Sequence, residues 1–116
     1  MTDTAIRREL EWIDERLVKS MARVHYLCLI DKGFAHGYDI IQHVKEKFRL
    51  KCSASMVYPV LQSLESDGFI RGEWIDGKEG HPSKKRYYLT PSGKKLITTA
   101  RKRIPALVNA AFSKSY

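Results

Sequence analysis

The chain is 116 residues long, 43% hydrophobic and 29% charged, a composition that fits one folded domain with a single core and excludes a disordered or two-domain chain. Its 21 basic and 13 acidic residues leave a formal net charge of +8 and an isoelectric point near 9.6, which points to nucleic acid or another anionic surface as partner. Cys28 and Cys52 lack Cys-x-x-Cys spacing, which argues against a disulfide framework or a cysteine-built zinc site. No signal sequence opens the chain and no apolar run approaches the ~18 residues of a membrane span, so a cytoplasmic protein with no membrane partner is expected.

Residues 1–20 hold four basic and five acidic side chains, so the positive excess lies in the remainder. Within "DTAIRRELEWIDERLVK" (3–19), Ile6, Leu10, Ile13 and Leu17 repeat at spacings of four, three and four, the stripe of an amphipathic helix. That helix either stops or runs on into "MARVHYLCLI" (21–30), an almost wholly apolar segment that reads as a core helix ended by Asp31-Lys32-Gly33. "HGYDIIQHVKEKF" (36–48) predicts a second core helix with Gly37, Ile41, Val44 and Phe48 on one face and Ile40 beside them. A basic stretch, "KEKFRLK", closes it.

"SASMVYPVLQSLESDGFI" (53–70) follows, a helical segment without a single Lys or Arg. Ser53 or Ser55 can cap it, Val57, Leu61 and Leu64 form its buried stripe, and Gly68 suits the left-handed position beyond its end. The period then changes from three-to-four to two. "FIRGEWID" and "KKRYYLT" read as strands joined by the polar "GKEGHPS", a hairpin with a long loop. "LTPSGKK" starts a last helix, with Thr90 as cap and Pro91 in the first turn, and apolar positions continue to Ala111. Pro105 is expected to kink or break it, because it removes one backbone hydrogen bond and crowds the carbonyl of Arg101.

Three helices joined by short turns, then a hairpin, then a helix is the order of a winged helix-turn-helix, in which the third helix of the unit enters a DNA major groove beside the hairpin wing. The expected fold is therefore mainly α with a small β-hairpin, carrying extra N- and C-terminal helices for dimerisation. The expected division is 1–20 for the N-terminal helix, 21–90 for the winged helix-turn-helix and 91–116 for the C-terminal helix.

The motifs "HGYDII" (36–41), "VYPVLQSLESDGFI" (57–70), "RYYLT" (86–90) and Ser92-Gly93 together resemble the phenolic-acid-decarboxylase repressor (PadR) family of transcriptional regulators, across about residues 22–97. The chain differs from the family pattern at Ala54-Ser55, Met56 and Arg86, positions that face a groove or lie on the wing. The resemblance implies a sequence-specific DNA-binding regulator, a repressor acting as a homodimer on the nucleoid, and a small aromatic effector as a further partner, with Trp12 or Trp74 able to line its site. It implies no enzymatic activity and no cofactor.

On a helical wheel, the face opposite Val57, Leu61 and Leu64 carries Ser55, Met56, Pro59, Gln62, Ser63 and Ser66, with Tyr58 at its border. Ser53, Ser55, Met56, Tyr58, Pro59, Gln62 and Ser63 are the candidate reading residues: hydroxyls and an amide to bond base edges, and Met56 to touch a thymine methyl. Tyr58 can alternatively pack on the preceding helix. Candidate phosphate contacts are Arg49 and Lys51 before that helix and Lys78, His81, Lys84, Lys85 and Arg86 on or beside the wing. Candidate dimer contacts are Ile6, Leu10, Ile13 and Leu17 from the first helix and Ile97, Ala100, Ile104, Leu107, Val108 and Ala111 from the last. The first helix could instead fold back on its own domain.

Catalytic and metal sites find no support. His36, Asp39 and His43 share a short helical stretch but lack the further ligands zinc needs, and His25 in its apolar segment reads as a core histidine. The competing reading of the whole is a winged-helix module that binds protein or RNA.

Overall fold

A computed structural model describes residues 2–78, 80 and 83–114. The elements run α1 (Asp3–Ser20), α2 (Ala22–Asp31), α3 (Gly37–Phe48), α4 (Ala54–Ser66), β1 (Ile70–Ile75), β2 (Lys84–Leu89) and α5 (Pro91–Ala111). Thr2 caps α1 by accepting the Ala5 amide at 3.4 Å, and Asp3 and Lys19 complement the dipole at its two ends. α1 and α2 are separate helices with Met21 alone between them, its amide still bonded to the Leu17 carbonyl at 3.0 Å.

The core lies where α2, α3 and α4 meet. Leu27, Ile40, Val57, Leu61 and Leu64 have no exposed surface there, and Ile70 of β1, Tyr87 of β2 and Ile97 of α5 close the cluster. Burial of each such aliphatic side chain contributes about 1.5–3 kcal/mol. Phe48, expected in the α3 stripe, is 39% exposed, because α3 has reached the rim of the core by its last turn. It leans edge-on against the His25 ring at 5.3 Å.

α4 ends at Ser66 with Asp67 as its cap, and Gly68 takes a φ of +81° that lets the Phe69 amide turn back to the Leu64 carbonyl at 3.0 Å. β1 and β2 then pair antiparallel from Ile70 opposite Leu89 to Ile75 opposite Lys84. The other edge of β2 is also held. Tyr87 donates its amide to the Ala35 carbonyl at 2.8 Å, and His36 Nδ1 donates to the Lys85 carbonyl at 3.1 Å. The carbonyl can only accept, so this contact assigns the imidazole proton to Nδ1.

Thr90 caps α5 as its sequence predicts, accepting the Gly93 amide at 3.1 Å while donating to the Gly68 carbonyl at 2.6 Å. Pro105 does not break α5, which continues to Ala111. The carbonyl of Arg101 that loses its bond lies on an exposed stretch, where water can replace the missing donor. Ile97 and Ala100, expected at a subunit interface, are 5% and 7% exposed and belong to the chain's own core. Beyond them α5 leaves the body, and Leu107 and Phe112 stand 59% and 81% exposed.

His25 makes stability depend on pH. Burial first, and the neighbouring His43 next, hold its imidazole below the ordinary value of 6.5. The unfolded chain therefore takes up the proton more readily than the folded one. Stability is unaffected well above pH 6.5 and falls as the pH drops below it, down to the lowered folded value. Urea midpoints at about pH 7.5 and pH 5 are expected to differ in that direction, with part of the difference abolished by His25→Phe.

Candidate nucleic-acid interface

α3 and α4 form the helix-turn-helix pair, and their approach depends on a glycine. A Cβ at Gly37 would lie 2.6 Å from the Tyr58 ring and 2.7 Å from its hydroxyl. Tyr58 therefore lies over the first turn of α3 while keeping 39% of its surface exposed, so it both packs and presents an edge outward. At the other end of the connection, Arg49 closes α3 in the left-handed conformation at φ 53°, a position that favours glycine. Ser53 takes the extended cap position of α4. Its hydroxyl meets the Ser55 hydroxyl at 2.9 Å rather than a helix amide, a difference from the expected capping bond.

Val57, Leu61 and Leu64 point into the core, so the outward face of α4 carries Ser55, Met56, Pro59, Gln62 and Ser66, all exposed. Pro59 stands inside α4 without breaking it. Ser63 departs from this face. It is half-buried and accepts a hydrogen bond from Arg23 Nη1 of α2 at 2.7 Å, while Arg23 Nη2 pairs with Asp67 at 2.7 Å. Its hydroxyl is engaged within the fold, which a wheel drawn on one helix has no means to reveal.

Two clefts flank the outward face. One, of about 760 Å³, brings Arg49, Lys51 and Met56 together with Val18 and Lys19 of α1. The other, of about 660 Å³, lies between α4 and the wing and gathers Gln62, Tyr58, Lys84 and Lys85 with His36 and Tyr38 at the start of α3. Lys78 is exposed in the connection between the strands. Arg86 follows the alternation of β2 onto the face away from α4, where its guanidinium lies 5.4 Å from the Tyr88 ring. His81 lies outside the described residues.

Lys85 differs most from its expected role. Its Nζ donates to Glu65 Oε1 at 2.7 Å, and it lies 5.6 and 5.7 Å from the centres of the Trp74 and Tyr87 rings. Glu65 Oε2 accepts the Gly72 amide at 2.9 Å. The hydrogen bond from Lys85, with a smaller contribution from the Gly72 amide, outweighs desolvation and holds the Glu65 carboxyl below its ordinary range. The same bond raises the Lys85 ammonium. The charge is thus engaged by α4 itself.

Two exposed aromatics beside α4 were not among the expected site residues, Trp74 at 69% and Tyr38 at 65% exposure, both in the second cleft. The period of two in "IRGEWI" carries a signal for Trp74, since it shares a face with Gly72, which faces Glu65. Among the described residues no three His, Cys, Asp or Glu side chains group as a metal site, and no helix is long and apolar enough to cross a membrane.

No curated protein sequence matches the chain. The family model for the "Transcriptional regulator PadR-like family" matches residues 26–99. Among solved structures, a PadR-like transcription factor from Bacteroides fragilis is 28% identical, with 85% of this chain and 94% of that one covered at a TM-score of 0.71. A Streptococcus transcriptional regulator is 25% identical, with 82% and 92% covered at a TM-score of 0.68. At the level of fold, a PadR family regulator from Eggerthella lenta, 20% identical, superposes at a TM-score of 0.77 over 93% of each chain. With the winged helix in place and more than half its length matched, the chain belongs to the PadR-like family of transcriptional regulators, which are not enzymes.

Proposed function

We propose that the protein binds duplex DNA as a two-fold homodimer at a palindromic operator and represses transcription there. The observation that carries this reading is the outward face of α4, which lacks Lys and Arg, flanked by cations at Arg49 and Lys51 on one side and Lys84 on the other, with Lys78 exposed in the connection of the wing. Small hydroxyls, the Gln62 amide and the Met56 thioether suit close approach to base edges, while the flanking charges suit phosphates. With no arginine on α4 to grip guanine, discrimination rests on modest contacts, DNA shape and the spacing of two half-sites.

Two apolar surfaces support the dimer. Ile6, Leu10, Ile13 and Leu17 are 43–53% exposed, and α1 contains no buried residue. The side of α1 that turns toward its own domain carries Glu15, Val18 and Lys19 instead, roughly opposite that stripe on the helix. Leu107, Val108 and Phe112 extend the second surface, with Ile104 and Ala111 beside them. A second copy covers both. Trp12, half-exposed on α1 with the Arg16 guanidinium 3.9 Å above its ring, is the side chain through which a small aromatic effector would meet this seam.

The two kinds of contact are separable. Lys84→Ala is expected to weaken binding to selected and random duplexes alike and to reduce the salt slope by about one per site. Gln62→Ala and Met56→Ala are expected to change the preference among sequences, by about 1–3 kcal/mol at the affected base pair. Binding titrations against a panel of operator variants measure both effects. Equal losses on every sequence from all three changes would contradict the division, and preferential capture of RNA or a protein would favour the module reading.

A further inference from the structure

In the sequence Lys85 reads as a phosphate contact, yet its ammonium is turned inward to the reading helix. Glu65, in the last turn of α4, meets both strands of the wing. One carboxylate oxygen accepts the Gly72 amide of β1 and the other accepts Lys85 of β2. Gly72 pairs with Tyr87, whose amide points away from β1 to Ala35, so the Gly72 amide likewise points off the outer edge of the ladder. Without Glu65 that amide would have no protein acceptor. A Cβ at Gly72 would run into the Lys85 side chain and lie 2.9 Å from Glu65 Oε2, so a larger residue here would displace the ends of both side chains that make the tie.

Among the described residues, these two bonds are the side-chain hydrogen bonds that join α4 to the hairpin. The remaining ties lie at the hairpin base, where the Phe69 amide meets the Leu64 carbonyl and the Thr90 amide meets the Phe69 carbonyl, and along the outer edge of β2, where Ala35 and His36 hold Tyr87 and Lys85. Those β2 ties run to the segment before α3, and none of them joins the hairpin to α4. Glu65 ties both strands to α4 partway along the hairpin, through groups only 24% and 29% exposed, and so holds the wing against that helix.

Accordingly we propose that Glu65 is a positioning residue for DNA binding. Holding Gly72 and Lys85, it sets the pitch of the wing against α4 and thereby the reach of Lys78 and Lys84 to the phosphates. This rests on the DNA-binding reading above. Lys85 serves the complex through Glu65 and makes no phosphate contact of its own.

The test compares the wild type with Glu65→Ala and with the double variant Glu65→Gln, Lys85→Met. In the double variant a neutral oxygen still accepts the Gly72 amide, and an uncharged thioether side chain of similar length fills the space between the rings. Three quantities are measured: affinity for a selected duplex as a function of salt, amide hydrogen exchange at Gly72, and the thermal midpoint. Glu65→Ala is expected to lose at least ~10-fold in affinity and to flatten the salt slope by about one for each wing cation that leaves the phosphates, although none of those cations is altered. Gly72 exchange is expected to rise about 10-fold. The double variant is expected to keep slope and exchange close to wild type.

A merely structural role would lower the thermal midpoint and leave the slope of the folded protein unchanged, which would overturn the proposal. A double variant whose slope falls by about one per subunit would also overturn it, by making Lys85 a phosphate ligand, and this comparison stands even if Glu65→Ala does not fold. Wild-type protein without preference for selected duplex, combined with faster Gly72 exchange in Glu65→Ala, would locate the fault in the DNA reading. Unchanged Gly72 exchange would locate it in the anchor.

Discussion

Exchanging Leu10 for lysine and Ile13 for glutamate is expected to give a folded monomer that has lost about 100- to 10,000-fold in affinity for a two-fold operator. The fold survives because α1 contributes no buried residue, and every member of the core cluster comes from α2 onward. Net charge is unchanged, so general attraction to phosphate is unchanged too. Both new side chains are adequate helix formers, and α1 itself persists. What disappears is the apolar stripe, and with it the linkage that makes the second half-site an intramolecular event. Sedimentation of the variant at micromolar concentration, beside binding to whole and half operators, reads both parts. A variant that stays dimeric would remove α1 from the interface.

The second large effect is on stability. Gly93→Ala is expected to cost about 3 kcal/mol and to lower the melting temperature by roughly 10–20 °C. Gly93 lies in the first turn of α5, where its amide bonds Thr90 and its Cα faces the end of α4 and the base of the wing. A Cβ there would collide with the Phe69 carbonyl oxygen and lie 2.8 Å from Leu89 Cδ1. The Phe69 carbonyl cannot retreat easily, because it accepts the Thr90 amide at 3.2 Å. α5 would have to lift, withdrawing Ile97 and Ala100 from the core. Melting followed by helical circular dichroism measures the shift. A change of less than a few degrees would mean that this contact relaxes freely.

Local chemistry made most of the fold legible. The spacing of Ile6, Leu10, Ile13 and Leu17, the glycine at Gly68 and the Thr90-Pro91 pair each announce an element or its end through interactions within a few residues, and each is found where expected. The candidate site was legible only in outline. Ser63 looked outward on a wheel, but Arg23 reaches it from 40 residues away in sequence. Lys85 looked like a wing cation, but Glu65 engages it from 20 residues away. Neither contact leaves a periodic trace. The apolar stripe of α5 misled for a related reason, since one continuous pattern serves the chain's own core at Ile97 and stands exposed at Leu107.

Charge placement carries the proposed function, in which phosphates are gripped from the flanks of α4 and sequence is read by its uncharged outward face, once in each of two subunits. The most direct measurement is the affinity of the intact protein for a palindromic duplex selected from a random pool, set against a scrambled duplex of equal length and titrated with salt. Binding to the palindrome is expected to be at least ~1,000-fold tighter than to the scrambled duplex, with two subunits per duplex and a linear fall of log affinity with log salt. Equal affinity for the two duplexes at every salt concentration would contradict it.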